Sequence, residues 1–215
     1  QSGSVDYVGE SELDVINKIR ELILILPSNN EDDASYDECT DDLNRLLPQM
    51  TSELGDTSRA LADLSDNHYF FEIKPDYAKE MVTGFIRLNG MTVGAIANRT
   101  EIMNEEGKVI ESFDGSLTTA GCEKAAGFVS LCDAFNIPIL TLTNVNGYKA
   151  TVEEERMIAK AAAKLTYAFA NATVPKVNMI LGKAYGSAYI TMNSKHIGAD
   201  MVFALPNAQI GMMDA

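Results

Sequence analysis

The turn at Gly186 is a candidate oxyanion-binding site, because a glycine and two small residues follow a short apolar run. Residues 177–181 predict a buried strand, and a new helix is predicted from about Tyr185. Gly186 can adopt the backbone angles that a sharp strand-to-helix turn requires. The N–H groups of Ser187 and Ala188 would then point outward from the positive end of the helix dipole. The pattern indicates main-chain stabilisation of a developing negative charge; a plain glycine turn that packs a helix on a sheet is the alternative.

Ser187 has a second interpretation, as a nucleophile with His196 as its base. Residues 184–188 lack the G-x-S-x-G pattern of hydrolase nucleophile turns. His196 follows the predicted helix by only a few residues, which is a typical position for a residue that caps a helix end. The spacing therefore favours an oxyanion site over a serine hydrolase.

Two tyrosines flank the predicted turn. Tyr185 and Tyr189 lie one helical turn apart, so their side chains would share one face of the helix. They would either line a ligand pocket or pack against the neighbouring helix. The sequence leaves both interpretations open.

The elements around the turn predict an α/β fold. Two strands, at 82–88 and 92–97, flank the Asn89–Gly90 dipeptide, which is a strong hairpin signal. Thr151 and Glu154 resemble a capping box at the start of a long helix. Strands alternating with helices indicate parallel β-α-β units. Further strands are expected at 137–142, 177–181 and 201–205, helices at 118–135, 151–172 and 185–194, and a polar loop at 101–114.

Residues 1–79 are predicted to form a helical extension or linker that precedes the domain of residues 80–215. Ser11 and Asp14 resemble a helix start, and Pro27 would end that helix. Its predicted apolar face consists of Leu13, Ile16, Ile19, Ile23 and Leu26. The acidic stretch 28–42 is interpreted as a solvated loop rather than a docking surface, and a second short helix is predicted at 57–64.

Composition excludes several classes of function. The 215 residues carry a formal net charge of −14, which argues against binding to nucleic acid or anionic membranes. A negatively charged ligand would need a local basic patch. The longest apolar run, near Leu22–Leu26, is too short to span a bilayer, and there is no signal peptide pattern. Two histidines far apart and three cysteines without C-x-x-C spacing predict no metal site and a reduced, cytoplasmic protein, with Cys132 as a small buried apolar residue.

Long stretches of the chain resemble the biotin-dependent acyl-CoA carboxyltransferases, which include β subunits of propionyl- and acetyl-CoA carboxylases and α subunits of related decarboxylases. The resemblance is to the C-terminal half of that family. An ordered series of matches is far more specific than any single motif. The matching segments are IRELILILPSNN (19–30), DDLNRLLP (41–48), KPDYAKEMVTGFIRLNGMTVGAIAN (74–98), EKAAGFVSLCDAFNIPILTL (123–142) and AAAKLTYAFANATVPKVNMILGKAYGSAYITMNSKHIGADMVFALPNAQIGMM (161–213).

The resemblance implies a crotonase-like fold, in which β-β-α units wind into a right-handed spiral, and a biotin-side half-site. Its oxyanion pair falls on the N–H groups of Ser187 and Ala188, after Gly186, and no metal is implied in the site. Residues implied to contact biotin are Gly147, Tyr148, Tyr185 and Tyr189. Implied partners are an acyl-CoA substrate, biotin carried on a separate domain or subunit (the biotin carboxyl carrier), and the N-terminal half of the carboxyltransferase. A homo-dimer or higher homo-oligomer is also implied.

Two segments depart from the family pattern. The V-P-G-F expected after the strand ending at Leu142 is replaced by residues 144–148, which keep only Gly147 and Tyr148. The R-H-G-A of the next helix is replaced by residues 158–161. The loop that lines the biotin pocket is therefore expected to have a different shape, which leaves the acyl substrate and full activity open. A non-catalytic assembly module, supported by the extent of apolar helix face, and a crotonase-fold serine hydrolase are the alternative functions. Since the chain ends soon after its last predicted strand, we expect it to be part of a longer polypeptide.

Overall fold

The fold is a mixed β-sheet with helices on both faces, in a computed structural model that describes residues 2–33, 35–47 and 50–213. The strands are β1 (Phe70–Glu72), β2 (Met81–Leu88), β3 (Met91–Asn98), β4 (Glu101–Met103), β5 (Val109–Ser112), β6 (Ser116–Leu117), β7 (Ile139–Val145), β8 (Gly147–Tyr148), β9 (Lys176–Tyr185), β10 (Met201–Ala204) and β11 (Gln209–Gly211). The helices are α1 (Glu12–Ile25), α2 (Met50–Glu53), α3 (Thr57–Leu64), α4 (Thr119–Ala134), α5 (Val152–Glu155), α6 (Ile158–Asn171) and α7 (Gly186–Thr191), with 3₁₀ turns at Asp66–His68 and Lys195–Ile197. None of the described helices is long and apolar enough to cross a membrane.

The main sheet has the order β1-β2-β3-β7-β9-β10, and β11 also pairs with β9. Strands β1, β2 and β3 are antiparallel, whereas β3, β7, β9, β10 and β11 pair in parallel. The predicted hairpin is confirmed: Asn89 and Gly90 have φ of 51° and 81°, as a two-residue turn of the primed type requires. The parallel strands bring the carboxyl ends of β7 and β9 to one edge of the sheet, where the candidate site lies.

Helices α4 and α6 cover one face of the sheet. Phe128 on α4 and Leu165 and Phe169 on α6 are buried with Ile139 of β7 in the larger apolar core. Cys132 is fully buried, as predicted. Gly94 lets α4 approach β3 closely, because an added Cβ there would collide with the sulfur of Cys132. The opposite face carries a second apolar cluster, to which α3 contributes Leu61.

Two element predictions were wrong. Residues 101–114 contain the small antiparallel sheet β4–β5 rather than only a loop. The helix expected over 151–172 is two helices, α5 and α6, since Met157 between them has φ of −128°. Thr151 accepts the Glu154 N–H as the capping motif predicts, but the Glu154 carboxylate accepts a 2.6 Å bond from the N–H of Thr119 on α4. Glu154 therefore ties α5 to α4.

The N-terminal segment joins the sheet as well as preceding it. Helix α1 begins where predicted, with the Ser11 hydroxyl accepting from the Asp14 N–H. Strand β1 extends the sheet, and the buried Arg99 guanidinium at the end of β3 lies 3.7 Å from Asp56 and 3.8 Å from Glu72. The domain boundary at residue 80 stays a prediction. Four residues of the predicted apolar face are solvent-exposed and form the apolar stripe of α1: Leu13 by 64%, Ile16 by 37%, Ile19 by 52% and Ile23 by 67%. The fifth, Leu26, is partly buried against the larger core.

Candidate active site at the start of helix α7

Strand β9 runs directly into helix α7 through Gly186. The strand ends at Tyr185 and the helix begins one residue later, close to the predicted boundary. Gly186 has φ of 57°, a left-handed conformation that favours glycine. A Cβ added to Gly186 would lie 3.0 Å from the carbonyl oxygen of Met212. The left-handed φ therefore favours glycine at this turn, and the tight contact with Met212 adds to that preference.

The first amides of α7 lie where the sequence places the oxyanion donors. Tyr185, the residue that precedes this helix, makes no side-chain capping bond to it. Residues 186–188 form the first turn, whose N–H groups have no partner within a helix. Ser187 is exposed, whereas Ala188 is 1% exposed over the whole residue and packs into the larger core. The packed Ala188 holds the start of α7 against this core.

Tyr148 lies against the same helix. Its hydroxyl is 2.7 Å from the Thr191 hydroxyl and 3.3 Å from the carbonyl oxygen of Ser187. Its backbone pairs with Leu117 in the short parallel ladder of β6 and β8. Burial raises the pKa of Tyr148, so its hydroxyl keeps its proton at neutral pH. Nothing lies within 4 Å of a Cβ built on the neighbouring Gly147, which therefore faces open space.

The other two predicted tyrosines occupy different environments. Tyr185 is only 5% exposed and donates a 2.6 Å hydrogen bond to Gln209 on β11. Tyr189 is half-buried against the larger core, and this burial raises its pKa. The structure thus groups Gly147, Tyr148 and Tyr189 around α7, while the Tyr185 ring is largely enclosed by protein. Their roles toward biotin stay predictions.

Two depressions lie beside these residues. One, of about 310 Å³, is mostly apolar and is lined by Tyr148, Ile158, Ala159 and Ala162. The other, of about 340 Å³, is lined mainly by residues with polar side chains, including Asn144, Asn146, Lys183 and Gln209. A larger depression of about 820 Å³ lies between α1 and the β2–β3 hairpin and contains no predicted site residue. The apolar depression is the one adjoining Tyr148.

The serine hydrolase interpretation gains no support from the geometry. His196 is exposed on the 3₁₀ turn after α7, and within the described ranges no hydrogen bond joins it to Ser187. The Ser187 carbonyl, rather than its hydroxyl, is the group engaged by neighbouring side chains. Over the same ranges there is also no cluster of three or more residues able to hold a metal ion.

Sequence reasoning missed the polar residues that anchor α7. Thr191 is 4% exposed and donates a 3.1 Å bond to the Ser187 carbonyl one turn earlier. Asn178 on β9 is fully buried and donates to the carbonyl of Met192, while it accepts from Thr143 on β7 at 2.8 Å. The four-residue spacing of Ser187 and Thr191 was a visible signal for the first contact. No sequence signal predicts the contacts of Asn178, because its partners come close only in the folded sheet.

The family is decided by comparison with known proteins. A family model described as the Carboxyl transferase domain matches residues 1–215. The chain belongs to the carboxyl transferase family. The resemblance inferred from the sequence is therefore confirmed over the whole chain.

Relatives of this carboxyl transferase domain are much longer than the chain. It is 39% identical over 220 residues to methylmalonyl-CoA decarboxylase subunit alpha of Propionigenium modestum, covering 99% of the chain and 41% of that protein. It is 39% identical over 222 residues to the mitochondrial propionyl-CoA carboxylase beta chain of Sus scrofa, covering 100% of the chain and 39% of that protein. The chain thus spans about two fifths of these relatives.

A solved structure confirms the predicted crotonase-like α/β fold. The transcarboxylase 12S crystal structure, with hydrolysed methylmalonyl-coenzyme A bound, has a TM-score of 0.86 and 34% identity to the chain. The match covers 99% of the chain and 42% of that protein. The chain therefore corresponds to less than half of the transcarboxylase 12S chain.

Proposed function

We propose that this domain is the biotin-side half of an acyl-CoA carboxyltransferase, which moves a carboxyl group between biotin and an acyl-CoA. The observation that carries the proposal is the first turn of α7, which follows a left-handed Gly186 and is not capped by the side chain of Tyr185. The amides of Ser187 and Ala188 would donate to the oxygen on which negative charge develops. Each well-placed main-chain donor would lower the barrier by about 3 kcal/mol.

We infer that the ureido ring of biotin binds beside α7. The depression lined by Tyr148, Ile158, Ala159 and Ala162 offers an apolar wall, and the hydroxyl of its Tyr148 lies 3.3 Å from the Ser187 carbonyl in the first turn. Bound biotin supplies a ring nitrogen that carries the transferred carboxyl group and a ring oxygen that takes up negative charge. The chain's own part is to place two amides at that oxygen and, through Tyr148 and Gly147, to border the ring. No side-chain base is needed for this step.

The whole protein would require components that this chain does not supply. We infer an N-terminal half that holds the acyl-CoA, a biotin carrier domain, and a homo-oligomer in which halves of different subunits meet. The relatives' names, propionyl-CoA carboxylase and methylmalonyl-CoA decarboxylase, and the hexamer assembly of transcarboxylase 12S support this inference. A cytoplasmic location belongs to the same proposal.

Decarboxylation assays test the proposal. The full-length protein is incubated with free biotin and malonyl-, methylmalonyl- or glutaconyl-CoA, and biotin-stimulated loss of CO₂ is measured. We expect turnover of at least one thioester. We also expect Ser187→Ala to keep most activity, because the donor is its backbone N–H. No turnover of any thioester would overturn the proposal, whereas complete loss in Ser187→Ala would indicate a nucleophilic serine.

The exposed apolar stripe of α1 favours a second candidate function, a non-catalytic assembly module. Leu13 and Ile23 are each more than 60% exposed on a helix whose spacing predicts packing. Co-expression with an N-terminal carboxyltransferase half separates the two candidates. A stable complex without biotin-dependent turnover would favour assembly, and recovery of turnover would favour catalysis.

A further inference from the structure

Three hydroxyl groups meet beside the first turn of α7. Thr191, which is 4% exposed, lies 2.7 Å from the hydroxyl of Tyr148 and 3.3 Å from that of Thr166 on α6. The Thr191 hydroxyl itself lies 3.1 Å from the carbonyl oxygen of Ser187. These contacts join strand β8, helix α6 and helix α7 at one point.

The protons of this cluster can be assigned so that every donor has an acceptor. A hydroxyl has one proton to donate and two lone pairs to accept with. Thr191 donates its proton to the Ser187 carbonyl and accepts from both Tyr148 and Thr166. The short Tyr148–Thr191 distance makes this the stronger bond of the tyrosine, whose contact with the Ser187 carbonyl is 3.3 Å. The result is a directed chain from Tyr148 through Thr191 to Ser187.

The last acceptor in this series of hydrogen bonds, the Ser187 carbonyl, is covalently linked to the amide of Ala188, a proposed oxyanion donor. The carbonyl of Ser187 and the N–H of Ala188 belong to one planar peptide group. Fixing the carbonyl oxygen therefore fixes the direction of the N–H. Hydrogen bonds in series also polarise one another, so a donor at the carbonyl makes the N–H a better donor.

We propose that Tyr148 and Thr191 are positioning residues whose linked hydroxyls orient and polarise the Ser187–Ala188 peptide group. The inference rests on the proposed function, in which the Ala188 N–H is an oxyanion donor. The Tyr148 hydroxyl then bonds within the protein rather than to biotin, so that only the tyrosine ring borders the apolar depression proposed for biotin. The loop that carries Tyr148 and the amide of Ala188 then move as one unit.

Steady-state kinetics of the full-length protein with free biotin provide the first test. Thr191→Val keeps the side-chain shape but removes the hydroxyl, and we expect kcat to fall about five- to tenfold with the KM for biotin within about twofold, the loss typical of one hydrogen bond. Tyr148→Phe is expected to lower kcat about threefold. Thr191→Ser should restore kcat. Tyr167→Phe, on the exposed side of α6, is the matched control and should leave both parameters unchanged.

A ¹⁵N–¹H spectrum provides a second test that requires no turnover. The Ala188 nitrogen resonance should move upfield in Thr191→Val and Tyr148→Phe and stay in place in Tyr167→Phe. An unmoved Ala188 resonance, unchanged kcat in Thr191→Val, or a raised KM for biotin at constant kcat in Tyr148→Phe would each overturn the inference. A wild-type protein without turnover would instead refute the proposed function, and the Ala188 resonance would still decide whether the hydroxyls act on the amide.

Discussion

Replacing Gly186 by alanine separates the catalytic geometry of the turn from its contribution to stability. The residue has φ of 57°, and a side chain in that conformation costs about 1–2 kcal/mol. For a domain of this size the cost corresponds to a fall in Tm of roughly 2–8 °C. The new Cβ would also lie 3.0 Å from the Met212 carbonyl, so the turn must shift by a few tenths of an ångström.

A shift of this turn has a larger effect on turnover than on stability. Losing one correctly aimed amide costs about 100-fold or more in kcat. We therefore expect Gly186→Ala to unfold only a few degrees lower while biotin-stimulated decarboxylation falls by about two orders of magnitude. Thermal unfolding followed by circular dichroism and initial rates of CO₂ release measure the two effects.

Gly107 supplies the matched control. It lies in the turn between β4 and β5 with φ of 76°, and nothing lies within 4 Å of an added Cβ. Gly107→Ala should therefore show a similar loss of Tm with unchanged kcat. If Gly186→Ala retained the kcat of Gly107→Ala, the first turn of α7 would not carry the oxyanion donors and the reasoning would be refuted.

Three further predictions concern charges and thiols elsewhere in the domain. Lys124→Met should lower the free energy of unfolding, measured in urea, by about 3–5 kcal/mol, because the buried ammonium donates to the carbonyls of residues 74, 77 and 78 and faces Glu72. A variant as stable as the wild type would refute a structural role for Lys124. A thiol reagent at pH 8 should modify Cys39 long before Cys122, since burial raises the pKa of Cys122 to about 12. Mass spectrometry locates the adduct, and early labelling of Cys122 would contradict its buried position. Hydrogen bonds from Lys149 and Ser116 lower the pKa of Asp114 to about 2, so the stability that its ionised form contributes is present above pH 4 and is lost as the pH falls toward 2. Because the ion pair is half-exposed, Asp114→Asn should lower the free energy of unfolding by only about 0.5 kcal/mol. A loss of stability that does not depend on pH would argue against the ion pair.

Local signals predicted most of the elements that surround the site. The Asn89–Gly90 dipeptide determined the hairpin, and α3 spans the residues that helical spacing predicted. The Gly186 turn was readable because only a few conformations join a strand to a helix so abruptly. The split between α5 and α6 was not readable, because the Glu154 carboxylate bonds to Thr119, a residue 35 positions away. Capping rules treat that carboxylate as a local group.

The cluster around Thr191 shows the same limit inside the site. Tyr148 and Thr191 are 43 residues apart, so neither helical nor strand periodicity could predict their contact. Their contact exists because β8 and α7 are both placed at the carboxyl edge of the sheet by different neighbours. Sequence reasoning could therefore nominate Tyr148 as a site residue but could not tell whether its hydroxyl faces a ligand or the protein.

The apolar stripe of α1 shows a different limit of periodicity. Leu13, Ile16, Ile19 and Ile23 have the spacing of a buried helix face, yet the main sheet buries only Ile25 of this helix. Helical spacing predicts that the apolar face of a helix packs against something, but it does not indicate which element packs there. In relatives more than twice as long as this chain, residues outside the matched segment are available to do so. If the stripe is covered within a carboxyltransferase assembly, Ile19→Asp should weaken association with the N-terminal half in sedimentation velocity. The exposed position of Ile19 predicts that the Tm of the isolated domain stays unchanged, and a large fall in Tm would show instead that the stripe packs within the domain.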